Sequence, residues 1–114
     1  MPYISVRTNK TVSPAQEEVL TREAGRLISL LPGKSEQWLM ADFTGDCHLH
    51  FQGKCDEGIA FISVRVYGDA SEKDKNSLTA ALTKLVSSTL SISAAHVYVQ
   101  YESCTTWGWN GSNF

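Results

Sequence analysis

The chain has 114 residues, enough for one domain with a hydrophobic core and too few for two. Hydrophobic residues make up 42% and charged residues 19%, which is the balance of a globular chain and excludes a disordered one. Ten basic against twelve acidic residues give a net charge of −2. They are scattered without a basic stripe, so nucleic acid is excluded as a partner.

Met1-Pro2-Tyr3 runs straight into Ile4-Ser5-Val6-Arg7, and the same four-residue word returns at Ile62-Ser63-Val64-Arg65. Neither the basic region nor the apolar core of a secretory signal precedes it, and no apolar run approaches the ~20 residues of a membrane span. A cytoplasmic place is therefore expected. Ile4 and Val6 alternate with Ser5 and Arg7, which predicts a strand with one apolar face. Ser13-Pro14-Ala15-Gln16 then supplies a capping serine, a proline in the first helical turn and a glutamine set for a capping box. Val19, Leu20, Ala24, Leu27, Ile28 and Leu31 follow at helical spacing, and Pro32-Gly33 ends the helix ahead of Lys34. Trp38 to Phe43 reads as a second strand, rich in aromatic and apolar residues.

Cys47-His48-Leu49-His50, with Cys55 beyond, is the one metal-like cluster, because His-x-His on a strand sets both imidazoles on one face. Its spacing matches no common zinc site and Gly45-Asp46 reads as a turn, so no metal and no cofactor are expected. The three cysteines (Cys47, Cys55 and Cys104) are odd in number and form no C-x-x-C, which predicts reduced thiols.

The two ISVR words begin 58 residues apart, and the same offset carries Ser13 onto Ser71. Ser71 opens a second helix with acids in its first turn, where the helix dipole favours them, and with Leu78, Ala81, Leu82, Leu85, Val86 and Leu90 on one face. The offset carries Trp38–Phe43 onto His96–Tyr101, a further strand. The chain thus reads as strand–helix–strand written twice, with pseudo-repeats over about 2–57 and 58–114 of one domain spanning 1–114. A helical crossover implies parallel strands within each half. The expected class is α+β in two layers: a four-stranded mixed sheet with two helices on one face. By strand parity Tyr3, Phe61, Val97, Val99 and Tyr101 are expected on the face without helices. That much uncovered apolar surface calls for self-association. Short extra strands are expected around Leu49-His50-Phe51 and Trp107-Gly108-Trp109, pairing with the edges of neighbouring subunits.

Candidate chemistry is spread along the chain. If Met1 is removed, Pro2 presents a secondary amine. An amine that is buried beside a lysine ammonium loses its proton more readily and becomes a general base near neutral pH. Lys34, after the helix stop, reads by itself as a solvated lysine that faces the helix C-terminus favourably. Tyr98 and Gln100 lie two apart on a strand, so both side chains share a face, which suits a ligand hydroxyl and ordinary strand packing equally. Trp107 and Trp109 suit a core or an interface.

Taken in order, several pieces resemble the macrophage migration inhibitory factor family of the tautomerase superfamily. They are Met1-Pro2 opening a strand, Thr8-Asn9 closing it, Gly33-Lys34, Phe51-x-Gly53, Val97-Tyr98-Val99-Gln100-Tyr101, and the ending Gly108-Trp109-Asn110-Gly111-Ser112-Asn113-Phe114. The resemblance implies a homotrimer and keto–enol tautomerisation of phenylpyruvate-like α-keto acids, with dopachrome-like compounds as further substrates. It makes Pro2 the base and gives Lys34 and the backbone N–H of Val66 the substrate's oxygens. Tyr98 and Gln100 would come from the neighbouring subunit, while Trp109, Phe114 and Trp38 wall an aromatic pocket. Three departures stand out. Gln100 replaces the family's asparagine, Trp107 fills a position usually smaller and narrows the mouth, and Gly58 and Phe61 stand near the positions of a C-x-x-C motif. The alternative that the resemblance implies is a cytokine-like protein, released without a signal peptide, that acts on a host or cell-surface receptor.

Overall fold

The ISVR words form the two central strands of one sheet in a computed structural model that describes all residues, Met1 to Phe114. Strand β1 (Pro2–Thr8) pairs antiparallel with β3 (Ala60–Tyr67). β2 (Met40–Thr44) lies parallel to β1 at one edge, and β4 (Val97–Cys104) lies parallel to β3 at the other. The order is therefore β2-β1-β3-β4, with helices α1 (Pro14–Leu27) and α2 (Glu72–Leu90) as the crossovers. Neither helix is long and apolar enough to cross a membrane.

Both helices begin at the serines expected to cap them. The Ser13 hydroxyl accepts from the Gln16 N–H, and the Gln16 side chain accepts from the Ser13 N–H, which completes the capping box. The Ser71 hydroxyl accepts from the Asp74 N–H. The 58-residue repeat also reaches an element not expected from sequence, because Glu36–Trp38 and Ala94–His96 are equivalent single turns of 3-10 helix. Trp38 therefore sits in the turn before β2, and His96 in the turn before β4. The halves differ where the helices end. Pro32 forces Leu31 into extended backbone, so α1 tightens into a 3-10 turn at Ile28–Leu30. α2, with no proline, runs to Leu90 and closes with Ser91 in the left-handed region.

The core lies between the sheet and the helices. Ile4, Val6, Ile62 and Val64 pack there against Leu20, Ile28, Leu78, Leu82 and Val86. Register corrects one expectation. Val97, Val99 and Tyr101 lie opposite Ala60, Ile62 and Val64 and so face the helices, not the open side. Tyr101 Oη donates to the Lys75 carbonyl (2.8 Å) and meets Thr79 Oγ1 (2.9 Å), tying β4 to α2, and burial pushes this phenol's pKa up. The open face instead carries Met40, Asp42, Tyr3, Phe61, Tyr98 and Gln100, with Met40 68% and Tyr98 58% exposed. Tyr3 and Phe61 are placed as expected. No strand forms at Leu49-His50, where Phe51 makes only an isolated bridge to Lys54. The C-terminal expectation gains a partner within the chain: β5 (Gly108–Trp109) pairs with β6 (Ser112–Asn113) through Asn110 and Gly111, both at positive φ, as a two-residue hairpin turn requires.

The ends of the repeat are bound together by side chains. The buried Thr8 hydroxyl donates to the Ile59 carbonyl (2.8 Å), and Asn9 bonds both the Ile59 N–H and the Glu57 carbonyl (2.8 Å each). Between β3 and α2, the Asp69 carboxylate accepts from Lys75 Nζ (2.8 Å), the Ala70 N–H (2.8 Å) and the Ser103 hydroxyl (2.9 Å). These bonds, with Lys75 the largest cause, pull its pKa to about 2. A carboxylate so depressed keeps its contribution above its ordinary pKa and loses it as pH falls through the folded value. A carboxyl NMR titration is expected to show Asp69 still ionised at pH 3, and Lys75→Ala to move its midpoint up.

Candidate functional site

The start of β1 brings three predicted residues together. Pro2 is buried, and its position in the ladder is opposite Val66 of β3. One residue further along β3, the Tyr67 N–H donates to the Met1 carbonyl (3.1 Å), and the Tyr67 carbonyl accepts from Lys34 Nζ (2.8 Å). Lys34 reaches this point because the α1 stop turns the chain back, its own N–H donating to the Leu31 carbonyl (3.1 Å) with Gly33 at φ +80°. A lysine ammonium is thereby anchored beside the chain terminus. The terminal amine is that of Met1, and its pKa is lowered, first by burial and then by the Lys34 charge.

A cavity of about 610 Å³ opens at this point. Trp38, Leu39, Met40, Trp107 and Trp109 wall it, and Met1, Pro2, Tyr3, Gln37, Arg65 and Gly108 complete the lining. Trp38 and Trp109 meet edge to face with ring centroids 5.1 Å apart, so the 3-10 turn and the β5–β6 hairpin brace each other. Phe114 stacks edge-on with Tyr67 (5.4 Å), and its N–H donates to the Trp107 carbonyl (3.1 Å), pinning the C-terminus over the hairpin. Of the residues singled out from sequence, Pro2, Trp38, Trp107 and Trp109 line the cavity directly. Lys34, Val66 and Phe114 adjoin it through Tyr67 and Pro2.

Tyr98 and Gln100 are not part of this group. They stand on the open face of β4, opposite Phe61 and Ser63, and Tyr98 packs edge-on against Phe51 (5.2 Å). The cavity also holds residues not singled out as site residues, chiefly Tyr3 and Arg65. The available signal for them is proximity along the chain, because each adjoins a predicted site residue, Pro2 and Val66 respectively. Cys47, His48, His50 and Cys55 line a separate recess of about 240 Å³. No three His, Cys, Asp or Glu side chains gather there, or elsewhere, in a way that would hold a metal ion.

A terminal amine whose pKa is lowered, a fixed ammonium and aromatic walls form a set that can move a proton on an anionic aromatic carbonyl compound. The model of the macrophage migration inhibitory factor family matches residues 1–114. Among solved structures, the Leishmania major protein MIF2 is similar with a TM-score of 0.92 at 24% identity, over 100% of this chain and 97% of that one. A homologue of macrophage migration inhibitory factor from Prochlorococcus marinus is similar with a TM-score of 0.88 at 22% identity, over 98% of each chain. Pt0534, solved after inactivation by 2-oxo-3-pentynoate, is similar with a TM-score of 0.79 at 17% identity, over 90% of this chain and 85% of that one. No curated protein matches the chain.

Proposed function

Because the chain belongs to the macrophage migration inhibitory factor family, we propose that it is an isomerase that interconverts the keto and enol forms of phenylpyruvate-like α-keto acids, and of dopachrome-like compounds, with Pro2 as general base. The observation that carries this reading is the buried Pro2 in the lining of an aromatic cavity at the chain terminus, with the Lys34 ammonium fixed at Tyr67. Burial, and then that ammonium, lower the pKa of the terminal amine. The Met1 amine stands in for the Pro2 nitrogen, which becomes the terminus when Met1 is removed and lies deeper, in a buried residue. Pt0534, a protein of similar fold, is inactivated by 2-oxo-3-pentynoate, a 2-oxo acid like the proposed substrates.

In this mechanism the Pro2 nitrogen takes a proton from the carbon next to the substrate carbonyl. The C–H electron pair becomes the carbon–carbon double bond, and negative charge moves to the carbonyl oxygen. Lys34 Nζ, which has donors to spare beyond its bond to Tyr67, and the Val66 N–H stabilise the substrate's oxygens. The prolinium then returns the proton to that oxygen, so the reaction is redox-neutral and needs no cofactor. Trp38, Trp107, Trp109 and Phe114 hold the aromatic ring. The open sheet face is covered in a homotrimer, where Tyr98 and Gln100 enter the site of the neighbouring subunit. The free thiols Cys47, Cys55 and Cys104 support a cytoplasmic place.

The test is phenylpyruvate tautomerisation by protein whose intact mass shows Met1 removed. A rate above that of buffer supports the reading, and none rejects it. The pH profile follows from the amine. Only the neutral form accepts a proton, so kcat/KM is expected to rise with pH through a pKa below the usual terminal-amine value and then level off. Lys34→Ala removes the smaller cause of that depression. It is expected to move the limb only partway up in pH while raising KM clearly.

A further inference from the structure

We propose that Arg65 forms a second anion-binding position in the aromatic cavity, one that selects aryl-2-oxo acids carrying a second carboxylate. The proposal takes the reacting end of the substrate from the tautomerase reading above, while the recognition by Arg65 stands on its own geometry.

Arg65 is the one side chain with a formal charge in the lining of a cavity whose other walls are mostly apolar, with Tyr3 and Gln37 as the neutral polar groups. A cation against such walls attracts an anion more strongly than one surrounded by water. The guanidinium is also held in place. Its central carbon lies 5.8 Å from the centroid of the Tyr3 ring, and Tyr3 is fixed in turn by its hydroxyl, which donates to Asp42 at 2.9 Å. On the other side Nε faces the Glu102 carboxylate at 3.6 Å. Arg65 and Glu102 are 56% and 58% exposed, so this pair is weak. It occupies Nε only, and no other acid lies within ion-pair distance of the guanidinium. Within the chain the two terminal nitrogens therefore remain free for a carboxylate, whose two oxygens match the planar fork. Lys34, held at the Tyr67 carbonyl beside the chain terminus, serves the reacting end of the substrate and is not in the lining of this cavity, so the second carboxylate falls to Arg65.

The experiment compares phenylpyruvate with 4-carboxyphenylpyruvate on the full chain with Met1 removed. Affinity is read from tryptophan fluorescence and turnover from kcat/KM. The native protein is expected to prefer the dicarboxylate. Arg65→Ala is expected to lower the ratio of the two affinities about tenfold, the worth of one charge-assisted contact. Arg65→Lys keeps the charge without the fork and should fall between, which also guards against a folding defect in the alanine variant. Glu102→Gln removes the internal competitor and should raise the ratio. A ratio that does not respond to Arg65→Ala or Glu102→Gln overturns the proposal. If neither acid is turned over but an Arg65-dependent binding preference persists, the proposal stands and the tautomerase reading fails. Turnover without that preference supports the tautomerase reading and overturns the proposal.

Discussion

An alanine inserted between Met1 and Pro2 is expected to lower phenylpyruvate tautomerisation by at least about a hundredfold, the lower range for losing a positioned general base. The inserted residue turns the Pro2 nitrogen into an amide, whose lone pair is delocalised into the carbonyl and accepts no proton. Loss of the fold does not explain such a result. With Met1 in place the chain already accommodates a residue ahead of Pro2, the Met1 carbonyl accepting the Tyr67 N–H while Pro2 stays buried opposite Val66. An unchanged far-ultraviolet spectrum and melting temperature are therefore expected alongside the lost activity. Pro2→Gly retains an amine but not the ring that aims it, and its activity should fall less than that of the insertion. A full rate from the inserted variant, its mass confirming the extra residue, would remove Pro2 from the mechanism.

Much of this arrangement is legible in the sequence. The repeated word, the two capping serines and the parity of Ile4, Val6, Ile62 and Val64 are local signals, each set by backbone geometry within a few residues. They lead to the right sheet, the right helices and the right inner face. What stays hidden is relative placement. The parity of β4 has no meaning until its register against β3 is known, and a shift of one residue exchanges Val97, Val99 and Tyr101 with Tyr98 and Gln100. The same step that moves the first three to the helices leaves Tyr98 and Gln100 on the open face. Trp38 reads as part of a strand because its neighbours are apolar. A single 3-10 turn has no periodicity of its own to announce it.

The site divides along the same line. From sequence, Pro2 and Lys34 pair only through the family resemblance, since 32 positions separate them and their link runs through the two backbone groups of Tyr67. Backbone groups leave no trace in residue identity. Arg65 is visible as the last letter of the second word, but its role depends on the cavity wall opposite and on Glu102 from another strand.

Ile62→Ala is expected to cost about 2–5 kcal/mol of stability, read as a lower urea midpoint at fixed protein concentration. Ile62 is wholly buried, lies between Val6 and Val99 in the sheet, and packs into the core that both helices share. Removing its branched chain leaves a cavity at the centre of the layer, where neither β1 nor β4 can close in without breaking register. Ile4, in the first copy of the word, is equally buried, so Ile4→Ala should cost a similar amount. Ser63→Ala, one residue along on the open face, should cost little in the isolated chain. A large loss from Ser63→Ala that depends on protein concentration would instead place stability in contacts between subunits across that face. The two ISVR copies carry equivalent loads as scaffold, so an activity lost only when the first is extended at Pro2 belongs to the chain end and not to the strand.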